Sequence, residues 1–162
     1  MQASTVQRVD FYRVNVRVHW ADTDAAGIVW FGNFLRFFEE AEDELFRALG
    51  QTRLELIRDF GILMPRVEAK CRFRSPARAE EVLGIGIAVQ EMTERRITYL
   101  FEARHQETDR LVCEGSYRVA CVSVDTFKAR DFPPAMRLLM GRLPSLITDQ
   151  RSERRRPAAG WA

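Results

Sequence analysis

Between Asn33 and Gly50 the apolar residues Phe34, Phe37, Phe38, Ala41, Leu45, Ala48 and Leu49 return at helical spacing. Glu39, Glu40, Glu42, Asp43 and Glu44 supply the other side. Such a run forms an amphipathic helix of about four turns, whose apolar stripe something else in the chain must cover. Asn33 is the expected N-cap, and Gly50 follows the last apolar position as a stop. The early acidic residues and the late Arg47 suit the helix dipole. A second, short helix is expected from Leu54 to Phe60, closed by Gly61.

On both sides of these helices the period changes. From Phe11 to Trp20, the residues Tyr12, Val14, Val16, Val18 and Trp20 alternate with Arg13, Asn15, Arg17 and His19, which marks a half-buried strand. Segments near 62–75, 80–92, 96–107 and 111–124 are rich in Val, Ile, Phe, Tyr and Thr and are separated at Ser75-Pro76, Thr93-Glu94 and Thr108-Asp109. They read as four consecutive strands of an antiparallel meander. Phe132-Pro133-Pro134 breaks the pattern, and 135–143 is expected to form a last helical turn. The order β-α-β-β-β-β is an α+β architecture in which one sheet must cover the long helix. A small sheet leaves long edges, so pairing with a second copy, as a dimer of dimers, is the expected remedy.

The chain has 162 residues and 46% apolar content, enough for one hydrophobic core. The domain is expected over 1–145 and a flexible Arg-rich tail over 146–162. Arg151, Arg154, Arg155 and Arg156 against Glu153 account for more than the net charge of +2, leaving about −1 for residues 1–150. A balanced body of this kind is not the basic face of a nucleic-acid binder. No stretch reaches the roughly 18 apolar residues of a membrane span, and Asp10 and Arg13 interrupt any leader-like apolar start, so a cytoplasmic protein is expected. Cys71, Cys113 and Cys121 form no C-x-x-C pair and read as small apolar residues rather than a disulfide framework. With only His19 and His105 as imidazoles, no metal site and no cofactor are expected.

The chemistry concentrates in Asp22-Thr23-Asp24-Ala25-Ala26-Gly27-Ile28-Val29-Trp30-Phe31-Gly32-Asn33, between a strand end and a helix start. The run sets a carboxylate beside the unpaired N–H groups of a helix N-terminus. A carboxylate can act as nucleophile or general base toward an acyl carbon, and those N–H groups can stabilise the oxyanion that forms. Thioester cleavage suits this pairing, because a thiolate leaves with little help from an acid. The same spacing also occurs in ordinary loops, where aspartates make Asx-turns. A calcium loop is excluded, since Ala, Ala, Gly and Ile follow Asp24 where oxygen ligands are needed.

The segment from Val18 to Phe34 resembles the signature of the 4-hydroxybenzoyl-CoA thioesterase family, D-x-D-x-x-G-[HI]-V followed by an aromatic-rich entry into the central helix. The likeness extends more loosely through Phe38-Glu39-Glu40-Ala41 and the 124–133 segment, covering about residues 10–135. It implies the hotdog fold, an antiparallel sheet wrapped round one long helix. It also implies that the protein is an acyl-CoA thioesterase acting on a small acyl- or aryl-CoA such as 4-hydroxybenzoyl-CoA or benzoyl-CoA. The family's catalytic carboxylate falls on Asp24 and its carbonyl-polarising backbone N–H on Phe31, leaving Asp22 to shape the loop.

The resemblance further implies active sites at subunit interfaces, with the phosphates of coenzyme A met by basic side chains; by position these are Arg95, Arg96, Lys128 and Arg130. Trp30 and Phe34 are expected at the pocket mouth. Met64 stands where an aryl enzyme carries a hydroxyl residue, a departure that bears on a 4-hydroxyl substituent. Two other functions suit the same fold. A hotdog hydratase needs a histidine five residues after its aspartate, where this chain has Val29, and a non-catalytic acyl-CoA binding or sensing module needs no Asp24.

Overall fold

The structure, a computed structural model, describes residues 9–155. β1 (Tyr12–Arg17) leads through a single 3-10 turn at Trp20–Asp22 into α1 (Asn33–Ala48), followed by α2 (Arg53–Phe60), β2 (Ile62–Leu63) and β3 (Arg66–Phe73). β4 (Val82–Met92), β5 (Arg96–His105), β6 (Leu111–Ala120), β7 (Val122–Ser123), α3 (Pro134–Gly141) and α4 (Leu143–Arg155) complete the chain. The main sheet is antiparallel in the order β1-β4-β5-β6-β3, and β2 pairs with β7 in a small second sheet. This is the hotdog layout, with α1 lying in the concave side of the sheet.

Register shifts at Val89/Glu91, Ala103/Arg104 and Arg66/Glu68 bend the strands, as bulges do, and let the sheet curl round the helix. Phe38 of α1 stacks on Phe101 of β5 with ring centroids 4.7 Å apart. The helix presses so closely on β6 that a Cβ at Gly115 would lie 2.9 Å from the Phe38 ring and 2.3 Å from the Lys70 carbonyl oxygen. Only glycine fits there. The hydroxyl of Tyr117, one strand position further along this face, donates to the Leu35 carbonyl oxygen and fixes the helix lengthwise.

Several expectations need correction. The four strands after α2 are not a simple meander. β4, β5 and β6 are, but β3 crosses to the far edge and pairs with β6, while β1 takes the place beside β4. Asn33 is inside α1 rather than capping it; Gly32 is the cap residue, and the Asn33 amide nitrogen donates to the Asp22 carbonyl oxygen at 2.9 Å. α2 begins one residue early, opened by a capping box in which Thr52 and Glu55 exchange bonds and closed by Gly61 as expected. The three cysteines are free, two buried and Cys71 half-buried.

The tail departs most from expectation. Residues 143–155 form α4, which buries Leu143 and Ile147, so the expected boundary at 145 falls inside a packed helix. Its Gln150 side chain accepts from the Arg13 N–H and donates to the Arg13 carbonyl, both at 2.8 Å, copying a strand partner along the edge of β1. Arg151 adds an ion pair to Asp10 at 2.9 Å. Of the Arg-rich run, Arg151 and Arg154 thus reach Asp10 and the Arg13 carbonyl at β1; residues 156–162 lie outside the described residues.

Glu42, assigned above to the polar side of α1, is fully buried, because α2 and the start of β3 close over it. Arg53 of α2 reaches it at 3.3 Å, and Arg66 of β3 makes a shorter ion pair. Burial pushes the Glu42 carboxyl up, against the pull of Arg66 and Arg53. Glu42→Ala leaves both guanidiniums without their shared anion. It is expected to cost about 3 kcal/mol, the low end for breaking a buried pair because both arginines keep some solvent. Urea unfolding checks this, and a loss below about 1 kcal/mol contradicts the account.

Candidate active site

After β1 the chain stays tied to the residues just before β4, with Val18 bonding to Glu81 and Glu80, and then turns sharply at Trp20–Asp22. Asp22 organises the loop beyond this turn. Its buried carboxylate accepts from the His19 N–H at 2.8 Å and from the Arg36 guanidinium of α1. Its carbonyl accepts from the Trp30 N–H and the Asn33 amide, both at 2.9 Å. One residue therefore joins the strand exit, the loop and the first turn of the helix.

Between those anchors Thr23 and Val29 form an antiparallel bridge, and the Gly27 N–H bonds to the Asp24 carbonyl at 2.9 Å. This tight turn needs φ +72° at Gly27, a conformation that glycine supplies freely. Asp24 is exposed at the start of the turn, with Oδ1 accepting from the Ala26 N–H at 2.9 Å. Among the described residues its Oδ2 has no partner, and neither the Phe31 nor the Gly32 N–H at the head of α1 has an acceptor. The loop thus carries both an Asx-turn and a carboxylate oxygen free to react.

Asp24, Ile28, Phe31, Phe34, Phe73 and Arg74, with the 75–77 segment, line one cleft of about 510 Å³. That size suits the acyl end of a small substrate. The 75–77 wall is held from two sides: Arg110 donates to the Ser75 hydroxyl and the Pro76 carbonyl at 2.6 Å, and Val29 N–H donates to the Ala77 carbonyl at 2.9 Å. Trp30 does not line this cleft. Its indole lies over Gly32, where a Cβ would be 2.2 Å from the ring, and its ring centroid is 4.9 Å from that of Phe31.

The remaining expected residues lie elsewhere in the protomer. Met64 lines a separate cavity of about 270 Å³ with Leu56, Ile57, Ile62, Arg66 and Phe127, at the end of β3 opposite the Asp24 cleft. Arg95, Arg96, Lys128 and Arg130 are exposed near that same end: Cys121 bonds to both Arg95 and Arg130 through the backbone, and Ser123 N–H bonds to the Lys128 carbonyl. Arg95 pairs with Asp131 at 2.6 Å. β3 spans on the order of 25 Å, so one protomer does not bring these residues to Asp24. Sequence reasoning also missed Phe73, Arg74 and Ser75; the only signal was an aromatic residue set between Arg72 and Arg74 in a strand end.

Comparison with known proteins bears on the family and the fold. Residues 18–138 match the model of the thioesterase-like superfamily. A 1,4-dihydroxy-2-naphthoyl-CoA hydrolase of Thermosynechococcus vestitus is 37% identical over 64% of this chain and 65% of its own length. The acyl-CoA thioesterase YbgC of Haemophilus influenzae is 30% identical over 73% of this chain and 85% of its own. A solved 1,4-dihydroxy-2-naphthoyl-CoA thioesterase of Synechocystis superposes with a TM-score of 0.75 at 22% identity, over 83% of this chain and 97% of that one, and supports the fold. A matched span that includes the aspartate loop, all of α1 and every strand of the main sheet after β1 establishes that the chain belongs to the thioesterase-like superfamily and is a thioester hydrolase.

Proposed function

We propose that the protein hydrolyses a compact aryl-CoA thioester, of the kind of benzoyl-CoA or 4-hydroxybenzoyl-CoA, to the free acid and coenzyme A. The observation that carries this reading is a single cleft holding the Asp24 carboxylate, the head of α1 with its unengaged Phe31 N–H, and three phenylalanine rings. With the thioester carbonyl in that cleft, Phe31 N–H and the helix N-terminus stabilise the developing oxyanion. Asp24 either attacks the carbonyl carbon or takes a proton from the attacking water. In the first route the thiolate leaves and water resolves a mixed anhydride. In the second, hydroxide adds and the thiolate leaves directly.

The basic residues and Met64 join this reading through a second copy. β3 is an outer strand of the main sheet, with Val67 exposed along it, whereas the opposite edge is occupied by α4. If β3 pairs antiparallel with its symmetry mate, a two-fold contact sets the Arg66 end of one strand beside the Phe73 end of the other. Met64, Arg95, Arg96, Lys128 and Arg130 of one protomer then approach the Asp24 cleft of its partner. The arginines and lysine are the groups to meet the coenzyme A phosphates, and the Met64 thioether is an apolar floor for the acyl group. An apolar floor favours an unsubstituted ring over a 4-hydroxyl one. Two such dimers pair into a tetramer through the outer face of the sheet, where a groove lies between Phe11, Leu100 and Ser116.

A panel of benzoyl-, 4-hydroxybenzoyl-, hexanoyl- and palmitoyl-CoA, followed by free thiol release, tests the substrate class. Benzoyl-CoA is expected to exceed palmitoyl-CoA in kcat/KM, and the reverse order sinks the aryl reading. Light scattering is expected to find no stable monomer at micromolar concentration; a monomer that turns over normally removes the shared site. Asp24→Asn keeps shape but loses the charge and the basic lone pair, so kcat is expected to fall about 10² to 10⁴-fold with little change in melting temperature. Asp22→Asn breaks a charge-assisted contact to Arg36 and is expected to cost about 1.5 to 3 kcal/mol of stability instead. Near-normal turnover by folded Asp24→Asn protein returns Asp24 to being a turn residue.

A further inference from the structure

We propose that Phe73, at the end of the edge strand β3, selects for a planar aromatic acyl group in the Asp24 cleft. This rests on the reading that the cleft receives the acyl end of a coenzyme A thioester. Phe73 sits opposite Cys113 on the face of the sheet turned to α1, while the neighbouring Arg74 turns to Glu114, with its Nε 3.1 Å from the carboxylate. Its ring is therefore delivered to the cleft rather than to solvent on the outer face. Yet Phe73 is 54% exposed, and Phe31 is 62% exposed, so neither ring closes the core.

The rings form a wall in which Phe31 and Phe73 keep exposed faces. Phe34 is buried and fixed edge-on against Phe37 at 5.9 Å. Phe73 meets Phe34 at 5.7 Å with a 49° tilt and Phe31 at 6.3 Å with a 71° tilt. None of these contacts is a parallel stack, so the exposed faces of Phe31 and Phe73 remain available to a third aromatic group. Offset and edge-to-face contacts reward a ring beyond the apolar area that it buries. A flexible aliphatic chain collects the area alone and loses rotamer freedom as well. Phe73 is the member of the wall best suited to this task, because Phe31 is tied to the catalytic amide and Phe34 to the core.

The test uses the full chain. Phe73→Ala, Phe73→Leu and Phe73→Tyr are compared for kcat/KM with benzoyl-CoA and hexanoyl-CoA by thiol release. Equilibrium affinities for both thioesters are measured in the Asp24→Asn background by calorimetry. The benzoyl-to-hexanoyl preference is expected to drop about three- to tenfold in Phe73→Ala and Phe73→Leu, and to return in Phe73→Tyr. An unchanged preference in Phe73→Ala, or full recovery by Phe73→Leu, overturns the proposal, since area rather than aromaticity would then decide. Should Phe73→Ala fail to fold, the Leu and Tyr variants carry the same comparison. If the wild-type chain releases no thiol from either substrate, the hydrolase reading fails separately. The calorimetric preference then decides for or against Phe73.

Discussion

The apolar stripe of α1 must be covered, and one curled sheet does most of the covering. Phe38 stacked on Phe101, Gly115 cut back to let the helix approach, and Tyr117 bonded to Leu35 together fix how far along and how deep the helix sits. Large core residues of this kind, fully buried, are each worth roughly 1.5 to 3 kcal/mol of burial. Because the helix is held so firmly in its first half, its N-terminus has a defined position. The loop that enters it is held there by Asp22 and Arg36. The free Phe31 N–H is a consequence of that placement, since the chain turns into the helix before this N–H can find an acceptor.

The same constraint leaves two sheet edges, and the chain treats them differently. Along β1 the Gln150 amide of α4 imitates a neighbouring strand and occupies the Arg13 N–H and carbonyl. No element of the described chain pairs with the outer side of β3. Unpaired strand edges invite another strand, so with one edge sealed the other is where a second copy pairs in the proposed dimer. The Asp24 cleft lies at one end of that open strand and the Met64 cavity at its other end. Two copies that share the work bring these separate features into one proposed site.

Much of this architecture is legible in the residues themselves. The helical spacing from Phe34 to Leu49 marks the central helix, and the period-2 runs mark the strands. Asp24 and Phe31 are indicated by their place between a strand and a helix and by family resemblance. Strand order is not legible, because β3 and β4 both read as ordinary strands along the chain and nothing local says that one crosses to pair with β6. Glu42 misleads for a similar reason: a glutamate among glutamates reads as a polar face until Arg53 and Arg66, 11 and 24 residues away, come to meet it. The tail misleads because arginines and alanines suggest solvent, whereas Leu143, Ile147 and Gln150 recur at helical spacing, the first two buried and the third bonded to Arg13 of β1. Phe73 escapes notice because one aromatic between two arginines has no periodicity to mark it.

The central claim is that Asp24 acts on a thioester held partly by the partner subunit, and subunit complementation tests it most directly. Asp24→Asn and Met64→Arg proteins are each purified as folded, inactive oligomers, then mixed in equal amounts, dissociated and reassembled. If the site is shared, a mixed pair keeps one intact site, with Asp24 from one protomer and Met64 from the other. The mixture then recovers about a quarter of wild-type thiol release. If Asp24 works with Met64 of its own protomer, no mixed pair contains a new combination, and if Met64 has no part in the site, the folded Met64→Arg protein is active alone. Recovery no greater than the two variants show separately, with mixed oligomers demonstrably formed, contradicts the account.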